Sequence, residues 1–299
     1  MSNVLITGAS RGIGRETALA FARAGHKVFA AMRNPSRSSD LTKTAQTQNL
    51  EIEILALDVN SDTSVLEAIQ RVQAENPIDI LVNNAGVQVS GSVEEVPLRD
   101  VRVVMETNFF GALRCIQAVL PVMRQRRSGC VVNVSSGSGR YSHPPFAAYS
   151  ASKWALEAMS EALAAEVMPF GLRVAIVEPV LIDTEMSREI AKVVPSSAYM
   201  QPRRFASFYA AGLKNPVPAT LVASKILAVR TSGTWKLRHP VGPAAIPIMR
   251  YRDGMSDEDW VSLNAAPDEI WEESVRELNQ LIEQESQRNS NGKSHQERP

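Results

Sequence analysis

The sequence predicts an α/β fold, a doubly wound parallel sheet with helices on both faces. Apolar strand-like runs alternate with helical patterns from Asn3 to about Pro179, the order that a parallel sheet with crossover helices requires. The chain also opens with a strand, a glycine-rich turn and a helix in direct succession, which aims backbone N–H groups and a helix N-terminus at one point. No Pro/Gly-rich linker and no internal repeat divides the 299 residues, and 44% hydrophobic residues supply one large core. Residues 1–285 therefore read as a single domain.

The elements follow in order. NVLIT, at Asn3 to Thr7, is a short apolar run suited to a buried strand. It leads into TGASRGIG, Thr7 to Gly14, and then into ETALAFARAG, whose apolar stripe (Ala18, Phe21, Ala22) stops at Gly25. KVFAAMRNP reads as a second strand, LALDV and IDILV as later strand ends, and LRVAIVEP as the sixth strand. Cys115 falls in a helix and Cys130 in a strand, both as core positions. MRQRR, Met123 to Arg127, reads as a helix end favoured by positive charge. Farther on, VPATLVASKILAVR is an amphipathic helix and TWKLRHP a last edge strand. PDEIWEESVRELNQLIEQ is a terminal helix with Ile270, Trp271, Val275, Leu278 and Leu281 as its apolar positions. The polar tail from about Gln284, residues 286–299 in particular, has almost nothing to bury and is expected to be disordered.

The run YSASK carries the chemistry. With Tyr149 opening a helix, Lys153 stands about one turn further along the same face. A free phenol has a pKa of about 10, and a fixed ammonium nearby favours the phenolate and brings that value toward the working pH.

Five strings in register, TGASRGIG, NNAG (Asn83 to Gly86), the Asn108 of TNFFG, NVSS (Asn133 to Ser136) and YSASK, resemble the short-chain dehydrogenase/reductase family, classical type. The match spans about Asn3 to Thr184. The resemblance implies a Rossmann-like three-layer αβα domain. It implies Tyr149 as acid/base, Lys153 as the residue that lowers its pKa and meets the nicotinamide ribose, and Ser136 as the group that polarises the carbonyl. Asn108 would hold a water in a proton relay. Ser135 and Ser138 remain alternatives to Ser136, and a capping role remains one to the relay. Cofactor contacts are implied at Gly8, Ser10, Arg11, Gly12, Ile13 and Gly14 of the turn. Further contacts are implied at Asn84, Ala85 and Gly86, at Asp58 and Val59, at Tyr149 and Lys153, and at Pro179 and Thr184. An alternative for Asp58 is a cap on the next helix. Where the family usually has Pro-Gly after the sixth strand, this chain has Pro179-Val180, whose side chain either narrows the pocket or points away.

Charge indicates which dinucleotide. NAD-specific enzymes of this fold carry an acidic residue after the second strand. Here that place holds Met32, followed by Arg33, with Arg11 in the turn. Two guanidinium groups without a nearby carboxylate suit a 2′-phosphate, so the expected cofactor is NADP (NADPH).

Lys plus Arg and Asp plus Glu are 32 each, so no basic surplus points to nucleic acid. Two cysteines make a disulfide framework unexpected, and no CxxC, HExxH or clustered histidine calls for a metal. His143 lies in the loop between Ser136 and Tyr149, either as a bystander, the commoner case for a loop histidine, or in contact with a substrate. No apolar stretch long enough to span a membrane was evident, and the chain starts at once with its first strand, so the expected location is cytoplasmic.

Between about residues 184 and 215 the α/β pattern lapses, where the family carries a variable lid. Met186, Tyr199, Met200, Phe205, Phe208 and Tyr209 lie there, either as a lipophilic pocket or as ordinary helix-packing stripes; Phe146 and Leu181 are further pocket candidates. VFAAMRNP is similar to the retinol- and hydroxysteroid-dehydrogenase branch. The expectation is an NADP-dependent oxidoreductase for a lipophilic ketone, aldehyde or alcohol. The resemblance also implies a homodimer or homotetramer built from the helices around Asn108 and Tyr149. A non-catalytic NADP-binding regulator and an epimerase or dehydratase are the alternatives, although epimerase-type relatives usually space their glycines as TGxxGxxG.

Overall fold

Each apolar run expected to be a strand contributes one. The computed structural model describes residues 1–192, 196–231 and 235–294, with side chains at 230, 231 and 286–294 left aside. Its first strands are β1 (Asn3–Thr7), β2 (Lys27–Met32), β3 (Ile52–Ala56), β4 (Ile80–Asn83), β5 (Cys130–Val134) and β6 (Arg173–Pro179). A short pair, β7 (Ile182–Asp183) and β8 (Val217–Pro218), ties the two ends of the lid region. The last strand, β9 (Arg238–Val241), completes a seven-stranded sheet of order β3-β2-β1-β4-β5-β6-β9. Every neighbouring pair in it is parallel. β9 pairs with β6 from Arg238 onward, so the edge strand is shorter than TWKLRHP; Trp235 is half exposed outside it, and Thr234 lies outside the described residues.

Strand residues alternate between two cores, as a period of two requires. Val4, Ile6, Val28, Ala30, Val132 and Val177 face one layer of helices, α1 (Gly12–Arg23), α2 (Ser39–Thr47) and α9 (Ala219–Thr231). Leu5, Phe29, Leu81, Val131 and Val174 face the other, built from α3 (Asp62–Glu75), α5 (Gly111–Arg126) and α6 (Ala147–Val167). Both cysteines are buried in these cores. α4 (Leu98–Met105) runs into α5 through a π-helical turn, Glu106–Phe110, that contains Asn108. The continuous helix Leu98–Arg126 is long and apolar enough to cross a membrane by length and composition, a correction to the sequence reading. Its Cys115, Ile116, Val119 and Met123 are nonetheless buried against the sheet core.

The lid region folds as α7 (Glu185–Ile190) and α8 (Gln201–Gly212), with residues 193–195 outside the description. Three helices end the chain, α10 (Ala245–Asp253), α11 (Asp257–Ala265) and α12 (Asp268–Ser294), of which the sequence reading anticipated the last alone. α12 extends to Ser294, past the point where the tail was expected to lose structure; residues 295–299 lie outside the description. On α12 Leu278 is buried, while Ile270 and Leu281 are exposed. These helices cover an apolar patch of Tyr141, Val180, Ala245 and Ile248 at the end of the sheet. Trp260 Nε1 donates to Ser142 O at 3.0 Å, and its ring lies 4.8 Å from that of His143.

Burial holds the His143 imidazole down, to about 4, against a hydrogen bond to Asn264 that raises it. A group whose pKa falls on folding contributes stability that is present above its unfolded value and lost as pH drops through the folded one. Unfolding free energy should therefore fall between about pH 6.5 and pH 4, by about 2 kcal/mol given the partial exposure of the ring. His143→Phe should flatten that limb in urea titrations across this range; an unchanged slope would refute the assignment.

Candidate active site

The winding of the sheet reverses between β1 and β4, and the functional cleft opens where it does. Thr7, at the end of β1, locks this point. Its Oγ1 accepts from Asn84 N at 3.0 Å and Ala85 N at 3.1 Å. Asn84 Nδ2 donates back to Thr7 O at 3.0 Å and Gly8 O at 3.2 Å. The glycine turn thus lies flat on the NNAG segment. Gly8 and Gly12 have φ of 67° and 54°, and a Cβ on Gly8 would stand 2.8 Å from Ala85 Cα. At Gly14 a Cβ would meet Gly8 O at 2.4 Å, so this glycine is required for close packing of α1 on the turn; it does not line the cleft.

The cleft has a volume of about 400 Å³. One end is lined by Gly8, Ser10, Arg11, Gly12 and Ile13, with Asn84, Ala85 and Gly86 beneath. Asp58 and Val59 form its wall beyond β3. The cap of α3 is Ser61, so Asp58 is not that cap. Pro179 and Thr184 complete the opposite wall, and Thr184 Oγ1 also caps α7. Arg33 lines the basic end, together with Asn34 and Arg37, which the sequence reading missed although RNPSR displays both guanidiniums. Arg11 departs from expectation. It is ion-paired with Glu185, so it does not face the cleft without a carboxylate nearby. Residues 174 apart gave no local signal of that pairing.

At the inner end lie Ser136, Tyr149 and Lys153. α6 buries both members of YSASK: Tyr149 is 8% exposed and Lys153 4%. Lys153 Nζ donates to Val134 O at 2.9 Å and lies 5.6 Å from the centroid of the Tyr149 ring. Ser136 lines the cleft beside Tyr149, and its Oγ accepts from Ser138 N at 3.2 Å. Ser138 does not line the cleft, and Ser135, which does, buries an unpartnered hydroxyl beside it. Burial pushes the Tyr149 phenol up to about 12, with Ser136 pulling the other way. The expected lowering by Lys153 does not dominate, because Lys153 is itself held down to about 8 by burial, against the raising charge of Glu157.

Asn108 stands behind the wall, not in it. Its Oδ1 accepts from Val87 N at 2.8 Å, and its Nδ2 donates to Val87 O at 2.9 Å and Ser152 Oγ at 2.9 Å. Both amide hydrogens are used in joining the loop after β4 to α6, and Oδ1 keeps one lone pair beyond its bond from Val87 N.

Phe146, Leu181, Met186, Ile190 and Tyr209 make the apolar side of the cleft. Phe205 packs behind them, 5.0 Å from both Phe146 and Tyr209 ring centroids. The lid aromatics are therefore both helix stripe and pocket wall. Tyr199 and Met200 are exposed, and Phe208 packs toward the C-terminal helices, so these three are not cleft residues. His143 lines a separate cavity of about 610 Å³ and does not reach Tyr149's cleft. Val180 points away, buried against Tyr141 and over Gly137. Leu181 instead takes a positive φ of 52°.

Comparison with known proteins agrees with this geometry. The family model described as short chain dehydrogenase matches residues 2–194. An uncharacterized oxidoreductase, YusZ of Bacillus subtilis, is 34% identical over 268 residues, 87% of this chain and 95% of that one. Retinol dehydrogenase 8 of Bos taurus is 37% identical over 200 residues, 66% of this chain and 64% of that one. A short-chain dehydrogenase structure from Streptomyces avermitilis superimposes with a TM-score of 0.73 at 32% identity, covering 92% of this chain and 97% of that one.

Thr7→Val should strip two backbone donors of their acceptor and cost about 2–4 kcal/mol in denaturant unfolding. A loss under about 0.5 kcal/mol would mean the junction of β1 with NNAG is held by other contacts.

Proposed function

The chain belongs to the short-chain dehydrogenase family, as a classical member akin to the retinol dehydrogenases, and on that premise we propose an NADP(H)-dependent oxidoreductase that interconverts a lipophilic ketone or aldehyde and its alcohol. The observation that carries this reading is the convergence of Ser136, Tyr149 and Lys153 at the inner end of a cleft whose other end is basic and glycine-lined. The fit to a dinucleotide is good. The turn held flat on NNAG brings backbone N–H groups and the N-terminus of α1 to where a pyrophosphate would lie. Arg33 and Arg37 suit a 2′-phosphate.

When bound, the nicotinamide supplies or accepts the hydride. In reduction Tyr149 donates its phenolic proton to the carbonyl oxygen, and in oxidation it takes the alcohol proton back. A phenol pushed up to about 12 is protonated at neutral pH, which suits it to the acid role. Ser136 holds the same oxygen by a hydrogen bond. Lys153 anchors one N–H on Val134 O and keeps the others for the ribose and for the phenolate left after transfer. Phe146, Leu181, Met186, Ile190 and Tyr209 offer the substrate an apolar wall. Exposed Leu98, Val103, Phe110 and Trp154, on the helices that flank the site, support a homo-oligomer.

Two experiments test this. NADPH oxidation over a panel of lipophilic ketones and aldehydes should proceed in the wild type and fall about 10²- to 10⁴-fold in Tyr149→Phe. Equal rates in both would overturn the mechanism, and bound NADPH with no net turnover would favour a regulator or an epimerase. For cofactor choice, Arg33→Ala and Arg37→Ala should each weaken NADPH binding about tenfold and leave NADH unchanged. Parallel losses for the two nucleotides would mean the guanidiniums do not read the 2′ position.

A further inference from the structure

Further along α6 from Lys153, outside the cleft lining, lies a cluster of charge that the mechanism above does not use. Glu157 stands one turn beyond Lys153, and Glu178 is the penultimate residue of β6, before Pro179; both are buried, at 4% and 0% exposure. One guanidinium nitrogen serves both: Arg238 Nε on β9 lies 3.0 Å from Glu157 Oε2 and 4.0 Å from Glu178 Oε1. Arg238 also reaches Glu161 at 2.7 Å, and Arg140, in the turn after β5, reaches Glu178 Oε1 at 3.3 Å. Three oxygens of this cluster are buried with no partner, Glu157 Oε1, Glu178 Oε2 and Ser135 Oγ. Two of them converge on Gly139, where an added Cβ would sit 2.7 Å from Ser135 Oγ and 3.2 Å from Glu157 Oε1.

We infer that Glu157 and Glu178 form a buried acidic pair in which Glu178 carries a proton on the acid side of neutrality, and that this pair is a positioning element that keeps Lys153 charged. The inference rests on the reading of Tyr149 and Lys153 as the proton-handling centre. The argument is electrostatic. Two ionised carboxylates bridged by one guanidinium inside the protein repel each other, and burial adds to the cost. A proton kept on Glu178 relieves that repulsion and gives an orphan oxygen a hydrogen to donate. In agreement, burial and the Glu157 charge push Glu178 up to about 7, against Arg140 and Arg238. As pH rises through that value Glu178 gives up its proton, and negative charge accumulates behind Lys153. Burial alone would discharge the ammonium in the same range. Among the described residues, Lys153 on α6, Arg238 on β9 and Glu178 on β6 are the charged groups shown to act on Glu157 or feel its charge, with Glu161 sharing Arg238 and Arg140 reaching Glu178.

The test uses the full chain with no nucleotide added. Carbon-13 lysine NMR, with the Lys153 signal identified by its loss in Lys153→Arg, reads the midpoint of Lys153 directly. In Glu157→Gln, an isosteric change that still accepts from Arg238, this midpoint should fall by about one unit, a tenfold loss in proton affinity. It should fall less in Glu178→Gln, and Glu157→Asp should restore most of it. Infrared difference spectra should display a protonated carboxyl band that fades as pH rises through about 7. That band should be missing in Glu178→Gln. An unmoved Lys153 midpoint in both Gln variants, or no such band in the wild type, overturns the pair. If Glu157→Gln fails to fold, Glu178→Gln and the wild-type band still decide. Neither readout needs turnover, so a failed titration beside intact ketone reduction removes this pair and leaves the Tyr149 mechanism standing. Normal titrations with no turnover would do the reverse.

Discussion

A buried chain of amides fixes helix α6, and with it everything that happens in the cleft. Asn83 Nδ2 donates to Asn133 Oδ1 at 2.9 Å, and Asn133 Nδ2 donates to Ser160 Oγ at 2.8 Å. β4, β5 and α6 are joined through side chains that are otherwise sealed from water. In such surroundings a broken link leaves a polar group with nowhere to turn, so the chain specifies one depth and one roll for the helix. Tyr149 and Lys153 inherit that position. Asn108, through Ser152, adds a second tie near the start of the same helix. The Asn of NVSS and the first Asn of NNAG are therefore fasteners, while Asn84 is both fastener and cleft wall.

What could be read in the sequence was whatever local chemistry dictates. Strand runs such as NVLIT and IDILV, and the glycines forced by close approach at Gly8 and Gly14, carry their reasons within a few residues. Tyr149, Lys153 and Ser136 were pointed to by the likeness of YSASK and NVSS to family motifs, and helix and strand end bring the three to one end of the cleft. Arg11 was misread because its partner Glu185 is remote in the chain. α10 and α11 were missed because the patch they cover, Tyr141 with Val180, exists only after β5 and β6 are paired. The same patch explains the absent glycine. Val180 has a hydrophobic place to go, and the turn is made one residue later, at Leu181, with about 1–3 kcal/mol of backbone strain held by the surrounding contacts.

Burial moves the groups of this site in opposite directions, the phenol toward its neutral form and the ammonium toward its own neutral form. A site that only excluded water would end with both uncharged. Its working state therefore depends on the fixed charges and dipoles left in contact with it: the Val134 carbonyl, the Ser136 hydroxyl and the carboxylate of Glu157. The helix supplies the geometry, and its surroundings supply the charge.

Gly111 lies against Val59, where an added Cβ would stand 2.9 Å from the Val59 side chain and 3.3 Å from its carbonyl oxygen. Gly111 follows the π-helical turn that carries Asn108, and Val59 belongs to the wall beyond β3. The far wall of the cleft and the frame of its reactive end thus meet at a hard stop, the bare backbone of Gly111 against the Val59 side chain. The distance between them behaves as a gauge block, set by contact and indifferent to the side chains along the way. Lid residues can drift in size and polarity, changing what is admitted at the open side, while the reach of the cleft stays constant.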